Sequence, residues 1–502
     1  MLHKVWRAII EGRFLEAFFK RLSKKPKKFF TRLRIFVDKA VSRPFIYWLS
    51  RCIKVEDNKI LFITFRGEYD CNAKWIAEEI KDRGLPYTVV WTIRKKVPVD
   101  DIPEAFVRTY RTSLDFYKHL ASAKIIVDNG ISTISEGYIK KKNQILVETW
   151  HGSLGIKMFS KETNKDKNWV ARATKEGKMT DYCLSNSTFE DKIFTDTFWS
   201  KSRILQLGHA RNDVLCERGT ERLSQIKDKV YTHFKLYEII DKQKASRRKE
   251  VRDWICDRKT FSWEPVDPKH PWSKVDVHDP EAIAHLLESE MHSCEDLRIC
   301  LYAPTFRDDG DMRPYQLDYV QLRNALATRF GGSWIIMTRF HWRLRKKKIE
   351  LPEFVVDASK YSDIQELLTC TDVGITDYSS WICDYMLTKR PGFLFATDMV
   401  EYEVKDREFF YPLDTMPYPL AVDNDQLIDN ILNFKDAHFE EECTAFLEDK
   451  GCIDDGFASK RIVDAIEKIM RGEEYDSSTA YRFGTGNPNG SGHSKPVSSR
   501  EG

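Results

Sequence analysis

No stretch of this 502-residue chain approaches the roughly 18 consecutive apolar residues that a membrane-spanning helix needs. The N-terminus lacks a continuous apolar core of the kind a secretory signal carries, so none is expected. The 11 cysteines are odd in number, scattered from Cys52 to Cys452, and form no CxxC pair. That excludes the usual zinc-ribbon spacing and favours reduced thiols in a cytosolic compartment. There is no internal repeat and no RNA- or DNA-binding motif, so a nucleic-acid partner is not expected. General disorder is excluded as well: 42% of residues are hydrophobic, and 13 Trp, 20 Tyr and 30 Phe supply material for packed cores. The length suits two to three domains.

What is present is unevenly distributed. Residues 1–54 hold 15 Lys/Arg against 3 Asp/Glu, a balance of +12, while the rest of the chain carries −8. Within that segment Val5, Trp6, Ile9, Ile10, Leu15, Phe18, Phe19 and Leu22 recur at helical spacing, and Phe29, Phe30, Leu33, Phe36 and Val37 form a second set beyond Pro26. A basic amphipathic helix pair with aromatic residues on its apolar face has the pattern of a segment lying in the plane of an anionic membrane surface.

From residue 59 short apolar runs alternate with helical segments. KILFITF (59–65), YTVVWTI (87–93), AKIIVDN (123–129), QILVETW (144–150), DYCLSNS (181–187) and RILQLG (203–208) read as strands, with helices over 75–84 and 113–123. The alternation resumes with strands at 298–306, 333–340, 354–359, 372–379 and 392–398, helices between them, and a terminal helix within 454–472. Near-continuous apolar strands separated by helices predict parallel sheets. The expected organisation is a membrane-surface segment (1–54), a Rossmann-like lobe (55–216), a charged, helical insertion (217–296), a second Rossmann-like lobe (297–473) and a disordered Gly/Ser/Asn-rich tail (474–502).

Polar residues stand just past the strand ends, where open α/β sheets place ligands. QILVETW runs into His151 between Trp150 and Gly152, and Ile156, Lys157 and Met158 read as the opening of a helix. RILQLG is followed by Arg211, Asn212 and Asp213; the strand from 298 by Thr305 and Arg307; the strand from 333 by His341 among Arg339, Arg343 and Arg345. The strand from 372 carries Thr376 and leads to Asp377, Ser379 and Ser380 at the start of a helix that contains Asp384. Hydroxyls and backbone N–H groups at a helix start, with basic residues nearby, suit an anion. Five such segments in two lobes point to a cleft for a phosphorylated ligand.

In order and rough spacing, TWHGSLGIKM, GHARNDVL, LYAPTFRDD, ITDYSSWICDYMLTKRPGFLF and DDGFASKRIVDAI resemble the CDP-glycerol glycerophosphotransferase family of teichoic-acid and capsule polymerases, over roughly residues 55–470. The resemblance implies an α/β GT-B fold, peripheral attachment at the cytoplasmic face of the membrane, and no metal or other cofactor. It also implies transfer of an alditol phosphate, glycerol phosphate in the first instance, from a CDP-alditol to a hydroxyl of a lipid-linked or polymeric acceptor, with release of CMP. By motif, His151 is the implied base and His341 the second histidine. Thr376, Ser379, Ser380 and Asp384 match the donor-binding segment, and Arg211, Asn212, Asp213, Thr305 and Arg307 are further substrate-binding candidates. The chain departs from the family pattern at Trp342 (for Pro), Ser153-Leu154-Gly155 (for Thr-Pro-Leu), Ala210 (for Pro) and Glu408 (for Gly).

Two other readings stay open at this level: a nucleotide-sugar transferase of the same fold, and a non-catalytic nucleotide-binding scaffold. Asp309-Gly310-Asp311 and Asp423-Asn424-Asp425 spell the acidic triplets of metal-dependent sugar transfer. If the basic segment holds the chain on anionic lipid, deleting residues 1–54 abolishes co-sedimentation with phosphatidylglycerol vesicles; retained binding refutes the assignment.

Overall fold

A computed structural model describes residues 48, 50–95, 97–131, 138–159, 166–261, 266–268, 270–307, 310–341, 344, 350–352, 354–473 and 475. The basic segment 1–54 falls almost wholly outside the described residues, as do the tail beyond 475, Asp309, Trp342, Arg343 and Arg345.

Seven strands build the first sheet: β1 (Glu56–Ile63), β2 (Thr88–Ile93), β3 (Val107–Tyr110), β4 (Ala123–Asp128), β5 (Ile145–Glu148), β6 (Tyr182–Ser185) and β7 (Arg203–Gln206), in the order β3-β2-β1-β4-β5-β6-β7. Six build the second: β8 (Leu297–Tyr302), β9 (Ser333–Thr338), β10 (Val355–Asp357), β11 (Val373–Thr376), β12 (Gly392–Phe395) and β13 (Leu420–Ala421), in the order β10-β9-β8-β11-β12-β13. Every pairing in both sheets is parallel. The central strands carry apolar runs because both their faces are covered: Ile60, Leu61, Phe62 and Ile63 of β1 are all buried. This is the GT-B arrangement of two Rossmann-like lobes.

Strand order reverses between β1 and β4 and again between β8 and β11. At such a point the loops leaving adjacent strands diverge to opposite faces and leave a crevice beyond the carboxyl ends. Two strands have no counterpart among the apolar runs. β3 is an edge strand, VRTY, with only Thr109 buried, and β13 is two residues long. Neither has the second covered face that makes a strand continuously apolar. The expected helix opening at 156–158 does not form: Lys157 makes an antiparallel bridge with Phe409, and the Met158 N–H donates to Glu408 O at 2.9 Å. The extended pairing, in which Ile156 O accepts the Phe410 N–H at 2.8 Å, is incompatible with the helical backbone these residues would otherwise adopt.

The 217–296 stretch is helical. Helix Glu221–His233, capped by the Thr220 hydroxyl, packs on helix Ile364–Cys370 of the second lobe. Helices Leu236–Thr260 and Pro280–Glu295 pair around a small core of Val251, Ile255, Trp272, Val277 and Leu286. The last helix, Ala458–Met470, packs on helix Cys71–Asp82 of the first lobe, where Arg83 Nη1 meets Asp464 at 2.5 Å.

The lobes are locked by ionic contacts away from water. Lys74 Nζ, on helix Cys71–Asp82, lies 2.6 Å from both Asp363 and Glu366 of the second lobe. The two carboxylates raise its pKa although burial works the other way. Lys74→Met leaves the buried Asp363 without its cation and Glu366 with Lys229 alone, and breaking one partner of a buried set costs about 3–5 kcal/mol; a clear fall in melting temperature by calorimetry is the expected result.

Candidate active site

β5 ends at Glu148, and the chain then turns back sharply, with Trp150 at φ +51° and Leu154 at φ +39°. A left-handed backbone costs an L-residue about 1–2 kcal/mol. The Glu148 carboxylate offsets part of this by accepting the N–H of Trp150 at 2.9 Å and of Ile131, itself at φ +56°, at 3.3 Å. Burial and the neighbouring Asp128 raise the Glu148 pKa well above the ordinary carboxylate value. Asp128 accepts the Gly130 N–H at 3.0 Å. Carboxylate oxygens of Asp128, Glu148 and Glu176 all lie within 4.8 Å of one another, and at least the first two brace the loops that follow β4 and β5.

The braced loops present His151 to the cleft. Its Nδ1 lies 2.6 Å from the carbonyl oxygen of Asn129, just beyond β4. Nδ1–H therefore donates to that oxygen, and Nε2 is left with its lone pair as a proton acceptor. Phe65 stacks on the ring at 5.5 Å and Trp150 lies against it at 4.4 Å. The ring is exposed to the cavity between the lobes, and partial desolvation by the protein around it pushes its pKa below the ordinary 6.5.

On the opposite lobe the loops leaving β8 and β11 are tied together. Thr376 Oγ1 donates to Ala303 O at 2.8 Å, and Asp377 accepts the Thr305 N–H at 2.8 Å. Arg307 pairs with Asp377 at 2.7 Å and with Asp398 at 2.6 and 2.7 Å, and these carboxylates raise its pKa further. Arg307 and Thr376 thus hold the loop in place from behind. Ser379 and Ser380 stand at its crest, before a helix of one turn (Trp381–Tyr385) that continues as a 3₁₀ turn (Met386–Thr388). Their hydroxyls have no hydrogen-bond partner among the described residues. The Phe306 and His341 rings lie 5.2 Å apart.

His151, His341, Thr305, Ser379, Ser380, Arg211 and Asp384 line one cavity of about 520 Å³ between the lobes, whereas Thr376, Asn212, Asp213 and Arg307 lie behind its wall. Arg211 is buried and bridges the lobes: Nε and Nη2 reach the two oxygens of Asp384 at 3.0 and 3.2 Å, and Nη2 donates to Gly152 O at 2.8 Å. Asp384 also accepts from Asn212 Nδ2 at 3.0 Å and Gln365 Nε2 at 3.1 Å. Asp213 caps the last helix through the N–H groups of Ala458 and Ser459, and burial pushes its carboxyl up to about 6.

The structure adds Asn129, Asp70 and Arg407 to the cavity lining, and places there Arg339 and Lys157, which the motifs gave no binding role. Asn129 follows β4, as Arg339 follows β9, so the strand-end rule that found His151 reaches both. Burial pushes Arg339 down to about 10 and Asp70 up to about 7. Lys157 and Arg407 carry no strand-end signal; the bridge between Lys157 and Phe409 brings the two segments together. The described acidic triplet residues serve elsewhere: Asp311 pairs with Arg313 at 2.6 Å, and Asp423 caps helix Asn424–Leu432 by accepting the Gln426 N–H at 2.8 Å.

Two facing parallel-sheet lobes with a polar cavity at both switch points define the GT-B class of fold, whose ligand crevice lies between the lobes. Within that class the chain belongs to the CDP-glycerol:poly(glycerophosphate) glycerophosphotransferase family, whose model matches residues 45–234 and 275–468. A teichoic acid poly(glycerol phosphate) polymerase of Staphylococcus epidermidis is 26% identical over 439 residues, 83% of this chain but 51% of that protein, so the chain spans about half its length. A teichoic acid glycerol-phosphate transferase of Staphylococcus aureus is 25% identical over 82% of this chain and 93% of its own. The wall teichoic acid polymerase TagF shares the fold, with a TM-score of 0.64 at 24% identity over 89% of this chain and 99% of that chain. Among the described residues no helix is long and apolar enough to cross a membrane.

A base that works as neutral imidazole gives a rate that rises with pH and levels off above its pKa. Because desolvation and the nearby Arg211 charge lower the His151 value, the acidic limb of kcat/KM is expected to have its midpoint below 6.5. A pH–rate profile with a midpoint above that value contradicts the assignment.

Proposed function

We propose that this chain transfers glycerol phosphate from CDP-glycerol to a hydroxyl of a polymeric or lipid-linked acceptor, releasing CMP, at the cytoplasmic surface of a membrane. The observation that carries this reading is the meeting of His151 and His341, one from each lobe, with the unpartnered Ser379 and Ser380 hydroxyls in one cavity at both sheet switch points. Its 520 Å³ suit a nucleotide-linked donor.

In the proposed reaction the acceptor oxygen attacks the phosphorus that bears the glycerol. The bond from that phosphorus to the bridging oxygen breaks, CMP leaves with the electron pair, and a new phosphodiester joins glycerol phosphate to the acceptor. The acceptor proton passes to Nε2 of His151, whose other nitrogen is held by Asn129 O. Charge on the diphosphate is met by fixed donors, the Ser379 and Ser380 hydroxyls and the second imidazole, which need no rearrangement as the bond breaks. Arg211 and Asp384 act through position: they hold Gly152, next to the base, against the donor lobe. The membrane location draws on the basic 1–54 segment.

His151→Ala is expected to fold and to lose about 10²–10⁴-fold in turnover, the usual worth of a general base. The assay offers CDP-glycerol, CDP-ribitol and a UDP-sugar side by side and follows the released nucleotide. CMP from CDP-glycerol supports the reading; UDP release, or full activity in the folded variant, refutes it.

A further inference from the structure

A second cavity, of about 230 Å³, adjoins the first at the catalytic loop. The two share His151, Lys157, Ser380 and Arg407 as common wall. Gly152 lies beside that wall: a Cβ placed on it would lie 3.1 Å from the Trp150 ring nitrogen and 3.9 Å from Ser380 Oγ. The second cavity is therefore a side chamber that meets the main one at the imidazole.

Its walls are of two kinds. Trp150, Phe159, Ile193 and Phe194 give an apolar, mainly aromatic side, with Phe159 stacked on Trp150 at 5.2 Å. Lys157 and Arg407 give a cationic side, brought together because strand-like pairing joins 156–158 to 408–410 across the lobes. The Arg407 guanidinium has no hydrogen-bond or ion-pair partner among the described residues, and Lys157 Nζ reaches only Thr305 Oγ1, at 3.3 Å. Glu190 also lines the chamber, but its carboxylate is engaged by His209 Nε2 at 2.8 Å and by the Asn186 N–H at 3.0 Å. The free charge facing this space is positive.

Displacement at phosphorus requires the incoming oxygen to enter roughly in line with the leaving group. With CMP extending into the main cavity, the nucleophile comes from another side, and the base must stand where the two paths meet. His151 occupies that place. On the basis of the glycerol-phosphate transfer reading above, we infer that the side chamber binds the hydroxyl-bearing end of a polyol phosphate acceptor. Its terminal phosphodiester lies against Lys157 and Arg407, its carbon skeleton lies against Trp150 and Phe159, and its terminal hydroxyl is directed at His151. The chamber falls below the about 300–1,000 Å³ of a site that encloses a whole ligand, which fits a chain end whose remainder stays outside.

Gly155 offers a direct test. A Cβ there would meet only Lys157 O, at 3.9 Å, so a side chain can be accommodated, and Gly155 lines the side chamber and not the main cavity. In full-length protein, Gly155→Leu and Phe159→Ala are measured for CDP-glycerol binding by calorimetry and for KM toward a soluble glycerol phosphate oligomer, with free glycerol as the uncharged acceptor. The expected result for both variants is donor affinity within about twofold of the parent and an oligomer KM raised about tenfold or more. The parent itself should prefer the oligomer to glycerol. An oligomer KM unchanged in both variants, a parallel loss of donor affinity, or equal use of glycerol and oligomer by the parent overturns the inference while leaving the transfer reading intact. Failure of the unmodified protein to bind CDP-glycerol overturns the transfer reading itself, and the inference with it.

Discussion

One buried ion pair, between Arg211 of the first lobe and Asp384 of the second, governs the geometry of the whole cleft. Arg211 is 2% exposed. A guanidinium that far from water is tolerable only with a carboxylate in good geometry and every remaining donor and acceptor satisfied. Asp384 meets that condition by taking both arms of Arg211, the Asn212 amide and the Gln365 amide. The lobes cannot drift apart without exposing one charge or stranding the other. The same guanidinium donates to Gly152 O, so interlobe registry and the placement of the residue beside His151 are set by a single group.

The cations of this cleft fall into two sets with different work. Arg211, Arg307 and Lys74 are each paired with carboxylates and maintain shape. Lys157, Arg339 and Arg407 line the cavity. For Lys157 and Arg339 enclosure by the surrounding lobes outweighs the nearby acids, pushing them down to about 8 and about 10. A bound phosphate would restore the charge balance that the protein leaves incomplete there. The strained loop obeys the same economy: Trp150 and Ile131 adopt left-handed backbones because Glu148 engages the N–H group of each.

Much of the fold was legible because a strand buried on both faces must be apolar along its whole length, which a sequence displays directly. Each strand read from an apolar run is present, with ends displaced by a few residues. The edge strand Val107–Tyr110 and the two-residue strand Leu420–Ala421 were not legible, since neither is covered well enough to leave that mark. His151, Ser379 and Ser380, read as candidates from their place just past strand ends, all line the cavity. That Arg211 and Asp384 would face each other, rather than each face the cavity alone, depends on two positions 173 residues apart and has no local trace.

The chain by itself determined two parallel sheets, their helices and the residue types at each strand end, because these follow from local periodicity and from which faces must avoid water. Only the tertiary structure decided which strand ends meet, that His151 donates through Nδ1 to Asn129 and leaves Nε2 as the acceptor, and that Lys157 and Arg407 share a chamber with the aromatic wall behind the loop. Those outcomes rest on contacts between residues far apart in sequence, whose energies exist only once the lobes have closed on each other.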